Sequence, residues 1–154
     1  EMIIDEIFKT SKNHSCVVNY PEDVLVGKNM NDKSQNKEIN DIADDDLILD
    51  IGPKTLNKIK SIIKKSKTIL WNGPAGYFEN PNFANGSYEI AKAITMKKKD
   101  NSIYSVVGGG DTIALLNQIN KIKDFDFVST AGGAFLEYLE GKELPGIKAL
   151  KQHV

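Results

Sequence analysis

The chain has 154 residues, 40% of them hydrophobic, and a net charge of −1. That is the size of one ordinary domain with enough apolar mass for a core, and the balanced charge excludes a partner recruited by charge alone, such as nucleic acid or an anionic membrane. The single cysteine, Cys16, excludes an internal disulfide. No apolar run approaches the length of a membrane span and residues 1–9 lack a signal-peptide core, so a cytoplasmic setting is expected.

All 20 basic residues are lysines. A site here that handles phosphate therefore has no guanidinium fork and must draw positive character from lysine, a metal ion or helix termini.

In chain order, residues 1–12 carry Met2, Ile3, Ile7 and Phe8 at helical spacing. Cys16, Val17 and Val18 form a short apolar run that predicts a strand, Tyr20 and Pro21 turn the chain, and Val24, Leu25 and Val26 are a second apolar stretch. Residues 27–46 are polar and read as a surface excursion, with the acidic residues Asp41, Asp44, Asp45 and Asp46 solvated rather than ligating. A strand is predicted over 47–51. Pro53 then suits the first position of a helix with Leu56, Ile59, Ile62 and Ile63 as its stripe, and Lys60, Lys64, Lys65 and Lys67 at its far end complement the helix dipole.

Residues 68–71 predict a strand that runs into the glycine-rich stretch 72–79. A helix follows over 83–99 on Tyr88, Ile90, Ala91 and Ile94. The strand at 103–107 leads directly into Gly108, Gly109, Gly110, Asp111 and Thr112, which open a helix from 111 to about 120. A last strand, 125–129, ends in a second glycine turn at 130–133. The helix after it stops near Gly141, and an irregular tail begins at Leu144.

Apolar strands alternating with helices predict an α/β fold: a parallel sheet with helices on both faces, Rossmann-like and three-layered. Ligands of such sheets bind beyond the carboxyl ends of the strands. Three of those ends carry glycine-rich loops, at 72–79, 108–112 and 130–133, and parallel strands would bring all three to one edge. Strand, glycine turn and helix start make a place for an anion, because glycine allows close approach and the first helical N–H groups are unpaired. Asp111 would weaken a bare phosphate site, and fits if a divalent cation lies between carboxylate and phosphate. The plainer alternatives are that Asp111 only caps a helix, that Glu79 is an ordinary loop carboxylate, and that Asn72 bonds its own backbone. A P-loop is excluded because Asp111 and Thr112 stand where Gly-Lys-Ser/Thr is required, and a dinucleotide fingerprint is excluded because neither loop has its third glycine.

Five stretches carry a resemblance: LDIGPKT at 49–55, WNGPAGYFE at 71–79, VGGGDT at 107–112, VSTAGGAFLE at 128–137 and LEGK at 139–142. In this order and spacing they resemble the C-terminal, nucleotide-binding portion of phosphoglycerate kinase, over most of residues 1–154 and most thinly from 28 to 46. The resemblance implies an incomplete nucleotide-binding domain of a glycolytic enzyme that moves a phosphoryl group between 1,3-bisphosphoglycerate and Mg-ADP, giving 3-phosphoglycerate and Mg-ATP. By the same resemblance, Glu79 accepts hydrogen bonds from the ribose, Asn72 and Pro74 wall the phosphates, and Gly108, Gly109, Gly110, Asp111 and Thr112 form the phosphate loop, with Asp111 as the Mg²⁺ ligand. Gly132 and Gly133 open the helix whose amides face the transferring group.

The sequence departs from the family at Ile48, where many members have glycine beside the adenine pocket, and at Ala131, commonly glycine. The family's N-terminal substrate domain and its phosphate-contacting lysine have no counterpart in these residues. The chain alone is therefore expected to be inactive, with the missing domain as its partner. An unpaired sheet edge is expected as well, through which it could self-associate. The other class of function that fits is a non-catalytic nucleotide-binding or partner module.

Overall fold

The structure, a computed structural model, describes residues 2–98 and 103–151. In order, the elements are α1 (Met2–Asn13), β1 (Asp23–Gly27), β2 (Gln35–Glu38), β3 (Leu47–Ile51), α2 (Pro53–Lys65), β4 (Thr68–Asn72), α3 (Asn85–Lys98), β5 (Tyr104–Gly108), α4 (Gly110–Gln118), β6 (Phe127–Val128), α5 (Gly133–Leu139) and α6 (Pro145–Lys151), with short 3₁₀ turns between some of them. The expected helix ends at Glu1 and Lys99 lie outside the described residues.

The fold class is the expected three-layer α/β with a parallel sheet. That sheet runs β4-β5-β6, with Thr68 beside Tyr104, Asn72 beside Gly108, and Val107 beside Val128. One face presents Trp71 and Val107 to a core built with Leu56, Ile63, Ile90, Ile94, Leu115 and Leu116 from α2, α3 and α4. On the opposite face Phe135 of α5 lies over Gly108. That second layer is thin, and Leu70, Tyr104 and Phe127 stay about half exposed.

The predicted strand at 47–51 and the apolar stretch at 24–26 belong elsewhere. β1 and β3 pair antiparallel, and β2 adds to the outer side of β1, giving a separate sheet in the order β2-β1-β3. β1 turns back into β2 as a hairpin, and the short segment after β2, with one 3₁₀ turn, carries the chain past β1 to β3 on its other side. The excursion at 27–46 thus contains a strand, whose polar sequence QNKE suits an exposed sheet edge. Cys16, Val17 and Val18 form no regular element and join no ladder among the described residues, and Val17 stays exposed. The tail expected to be irregular forms α6, with Pro145 as its first residue. The acidic loop is tied down by lysine. Asp46 pairs with Lys37 at 2.6 Å and Lys28 at 3.0 Å, and the hydrogen bond from Lys37, the Ala43 amide and Lys28 hold its carboxyl far below the usual range.

Two buried aspartates join the sheets to the helices. Asp23 of β1 caps α2 from across the chain: its carboxylate accepts from the Thr55 amide at 2.7 Å, the Lys54 amide at 3.0 Å and the Thr55 hydroxyl at 2.8 Å. The N-cap residue itself, Gly52, has no side chain for the task, and a Cβ there would stand 2.2 Å from the Asp23 carboxyl carbon. At the other end of α2, the Lys97 ammonium donates to the carbonyls of Ile63, Lys64 and Ser66, closing the helix terminus.

Burial pushes the Asp23 carboxyl up, but the bonds from Thr55 and Lys54 outweigh it, and the net direction is down. A carboxylate held below its unfolded value of about 3.9 stabilises the fold above that pH, and the contribution is lost as pH falls through the folded value. Asp23→Ala is therefore expected to cost about 2–3 kcal/mol at pH 7, from a lost cap and orphaned buried donors, and to lose less than the parent on acidification. Urea denaturation at pH 7 and pH 3 checks both. An equal penalty at the two pH values contradicts the charged cap.

Candidate functional site

The parallel register aligns three chain turns. β4 ends at Asn72 and β5 at Gly108, which are direct neighbours; β6 ends at Val128, level with Val107, and the next amide, that of Ser129, still donates to the Val107 carbonyl at 2.8 Å. The loops that leave these ends, from Gly73, Gly109 and Ser129, therefore start side by side, as the sequence pattern anticipates.

Two hydrogen bonds brace the first loop. The Gly73 amide donates to the Thr112 hydroxyl at 2.8 Å, and the Trp71 indole N–H donates to the Gly73 carbonyl at 2.8 Å. Thr112 is fully buried, so its hydroxyl is a strut between loops 72–79 and 108–112. Asn72 makes no side-chain hydrogen bond among the described residues; its amide group lies against the Gly108–Gly109 backbone instead. A Cβ on Gly109 would stand 2.9 Å from Asn72 Oδ1, and one on Gly108 would stand 3.3 Å from both Asn72 Nδ2 and Phe135. Pro74 is half-buried beside this junction.

The glycines divide by physical cause. Gly73, Gly109 and Gly132 have φ of +94°, +87° and +55°, values that L side chains avoid. Gly108 and Gly109 are further required by the Asn72 contact. Gly110 and Gly133 have neither constraint: each begins a helix, and a Cβ on either would meet nothing within 4 Å. Bare amides at helix starts, opening onto free space, suit an anion.

Asp111 sits in the first turn of α4, exposed, and has no hydrogen bond or ion pair among the described residues. The N-cap is Gly109, so Asp111 is not acting as the cap. No group of three or more His, Cys, Asp or Glu could hold a metal among the described residues. One free carboxylate beside open helix amides nevertheless fits Mg²⁺, which takes one or two carboxylates and completes its shell with water and phosphate oxygens.

Glu79 closes loop 72–79, on an exposed turn. That turn leans on the antiparallel sheet's loop: Asn80 donates to the Met30 carbonyl at 2.6 Å and Asn82 to the Asp32 carbonyl at 3.0 Å. Its base is fixed by the Tyr77 amide on the Leu49 carbonyl at 2.7 Å and the Ala75 amide on the buried Ser87 hydroxyl at 2.9 Å. Ser87 and Asp50 were not singled out by sequence reasoning. Their partners lie 12 and 36 residues away, and the available signal was the pair of glycines, Gly76 and Gly86, between which Asp50 fits.

The model of the phosphoglycerate kinase family matches residues 2–142. The chain is 46% identical over 147 residues to the phosphoglycerate kinase of Zymomonas mobilis, covering 94% of this chain and 37% of that protein. It is 42% identical over 154 residues to that of Wolbachia pipientis wMel, covering 99% and 39%. Among solved structures, phosphoglycerate kinase from Coxiella burnetii superposes with a TM-score of 0.85 at 37% identity, over 97% of this chain and 37% of that one. The enzyme from Pyrococcus horikoshii superposes with a TM-score of 0.71 at 29% identity, again over 97% of this chain. The chain thus spans less than two-fifths of the length of these relatives.

The division among glycines is testable by stability alone. Gly109→Ala is expected to cost about 1–3 kcal/mol, since it places a side chain at a strained φ and against Asn72. Gly110→Ala is expected to stay within about 0.5 kcal/mol of the parent, as an open surface change. Thermal or urea denaturation of the two variants checks this, and equal losses would contradict the assignment.

Proposed function

The chain belongs to the phosphoglycerate kinase family, and on that premise we propose that it supplies the nucleotide-binding part of an enzyme transferring a phosphoryl group between 1,3-bisphosphoglycerate and Mg-ADP. The observation that carries this reading is the convergence of three glycine loops at the carboxyl ends of β4, β5 and β6, with an unpaired Asp111 among them.

In this reading the amides at the start of α4 bind the nucleotide phosphates, and the Gly132–Gly133 amides face the group in transit. Asn72 and Pro74 form the wall beside the phosphates, with Asn72 Oδ1 and Nδ2 free to bond ligand rather than protein. Thr112 serves through its buried hydroxyl, which holds the Gly73 amide and keeps two loops in register. Glu79, outside the phosphate cluster, accepts from the ribose hydroxyls. Asp111 would hold Mg²⁺, and the ion's chemistry when bound is neutralisation of phosphate charge. Phosphoryl transfer asks little covalent help of a protein; it asks for alignment and for stabilised charge on the equatorial oxygens. With no arginine in the sequence, the amides, helix starts and Asp111-held cation carry that charge balance within these residues.

Titration calorimetry with ADP, with and without Mg²⁺, separates the roles. Asp111→Asn is expected to weaken Mg-ADP and to leave metal-free ADP unchanged or slightly tighter. Glu79→Gln is expected to weaken both forms alike by about 1 kcal/mol, since a neutral amide still accepts. Equal losses for both forms with Asp111→Asn would overturn the metal role. Absence of any binding to the parent at millimolar nucleotide would overturn the site in this chain.

A further inference from the structure

Asp50 lies in β3, 2% exposed, and no proposed ligand contact uses it. Its Oδ2 accepts from the Gly86 amide at 2.8 Å, in the first turn of α3, and its Oδ1 accepts from the Ile51 amide at 2.8 Å. No cation pairs with it among the described residues. Burial pushes its carboxyl up, against the two amides that favour the charge. The carboxylate is wedged between two glycines. A Cβ on Gly76 would stand 2.4 Å from Oδ1, and one on Gly86 would stand 2.2 Å from the same atom. Residues 76 and 86 bracket the excursion that carries Glu79, so the backbone closes on Asp50 from both ends of that excursion.

A buried carboxyl with no cation beside it is a costly post unless its position matters, because apolar residues of similar size would hold the loop and the helix together at lower cost. We propose that Asp50 is a positioning residue for the nucleotide site: by holding Gly76 and the start of α3 at a fixed spacing, it sets where the Glu79 carboxylate stands relative to the phosphate loops. The inference rests on Glu79 being the ribose contact. Asp50 touches no ligand; it acts through the backbone from Gly76 to Tyr77, whose amide is fixed on Leu49, the residue before Asp50.

A double-mutant cycle in this chain tests it, read as Mg-ADP affinity by titration calorimetry. Asp50→Asn keeps an acceptor for the Gly86 amide but turns an N–H group toward the Ile51 amide or removes one of the two bonds. It is expected to weaken Mg-ADP by about three- to tenfold, the worth of one such bond. Combined with Glu79→Ala it should weaken binding no further than Glu79→Ala alone, since the carboxylate it positions is gone. Combined with Asp111→Asn its effect should add in full. A general loosening of the fold would not choose between the two partners.

If Asp50→Asn fails to fold, Gly76→Ala serves the same cycle, pressing a methyl group against the carboxylate and the Phe83 carbonyl from the loop side. Effects that add with Glu79→Ala, or that couple equally to Asp111→Asn, overturn the inference. If Glu79→Ala alone leaves affinity intact, the ribose reading fails and the inference falls with it. Those two failures are told apart by the single variant.

Discussion

The parallel ladder of β4, β5 and β6 is the constraint on which the rest depends. Its register puts Asn72 beside Gly108 and Val107 beside Val128, so three chain reversals begin on one line. Parallel strands can be joined only by crossovers, and the helices that make them, α3 and α4, bury one face of the sheet against Trp71 and Val107. Each of these crossovers begins where a strand has just ended. The site is thus a by-product of topology: helix starts collect at the carboxyl edge because the sheet is parallel. Local bonds then fix the loops within that frame, the Thr112 hydroxyl on the Gly73 amide above all.

Some of this was legible in the sequence, for identifiable reasons. Residues 68–71 and 103–107 are mostly apolar runs that lead into glycine turns with a helical stripe further on, which is how a buried parallel strand reads. Strand direction was harder. Val24 to Val26 and Leu47 to Ile51 are equally apolar, yet they pair antiparallel, and the only warning was the absence of helical periodicity in the polar segment between them. β2 was hidden because an edge strand needs no apolar side chains: QNKE pairs through its backbone alone. Cys16, Val17 and Val18 show the converse. They have strand composition but no neighbouring strand among the described residues, and composition cannot create a ladder.

The buried aspartates mark a deeper limit. Asp23 and Asp50 look like ordinary strand-end polar residues, but one caps a helix 31 residues on and the other a helix 36 residues on. Their roles follow from tertiary approach, and the trace left in the sequence is glycine at the points of contact: Gly52 against Asp23, Gly76 and Gly86 against Asp50. Reading glycines by what crowds them separates structural ones, such as Gly108, from those facing open space, such as Gly110 and Gly133. The latter leave their helix-start amides open. Asp46 and Glu89 are paired to lysine, whereas Asp111 is exposed and has no hydrogen bond or ion pair among the described residues.

The central claim is that phosphate and its cation sit where the glycine loops converge. Replacing Mg²⁺ by paramagnetic Mn²⁺ in complex with ADP, and recording amide line-broadening by NMR, tests it most directly. The account predicts strongest broadening at Gly110, Asp111 and Thr112, followed by Gly132 and Gly133, with the antiparallel sheet β2-β1-β3 little affected. Broadening centred instead on the acidic stretch from Asp41 to Asp46, or spread evenly over the chain, would contradict it.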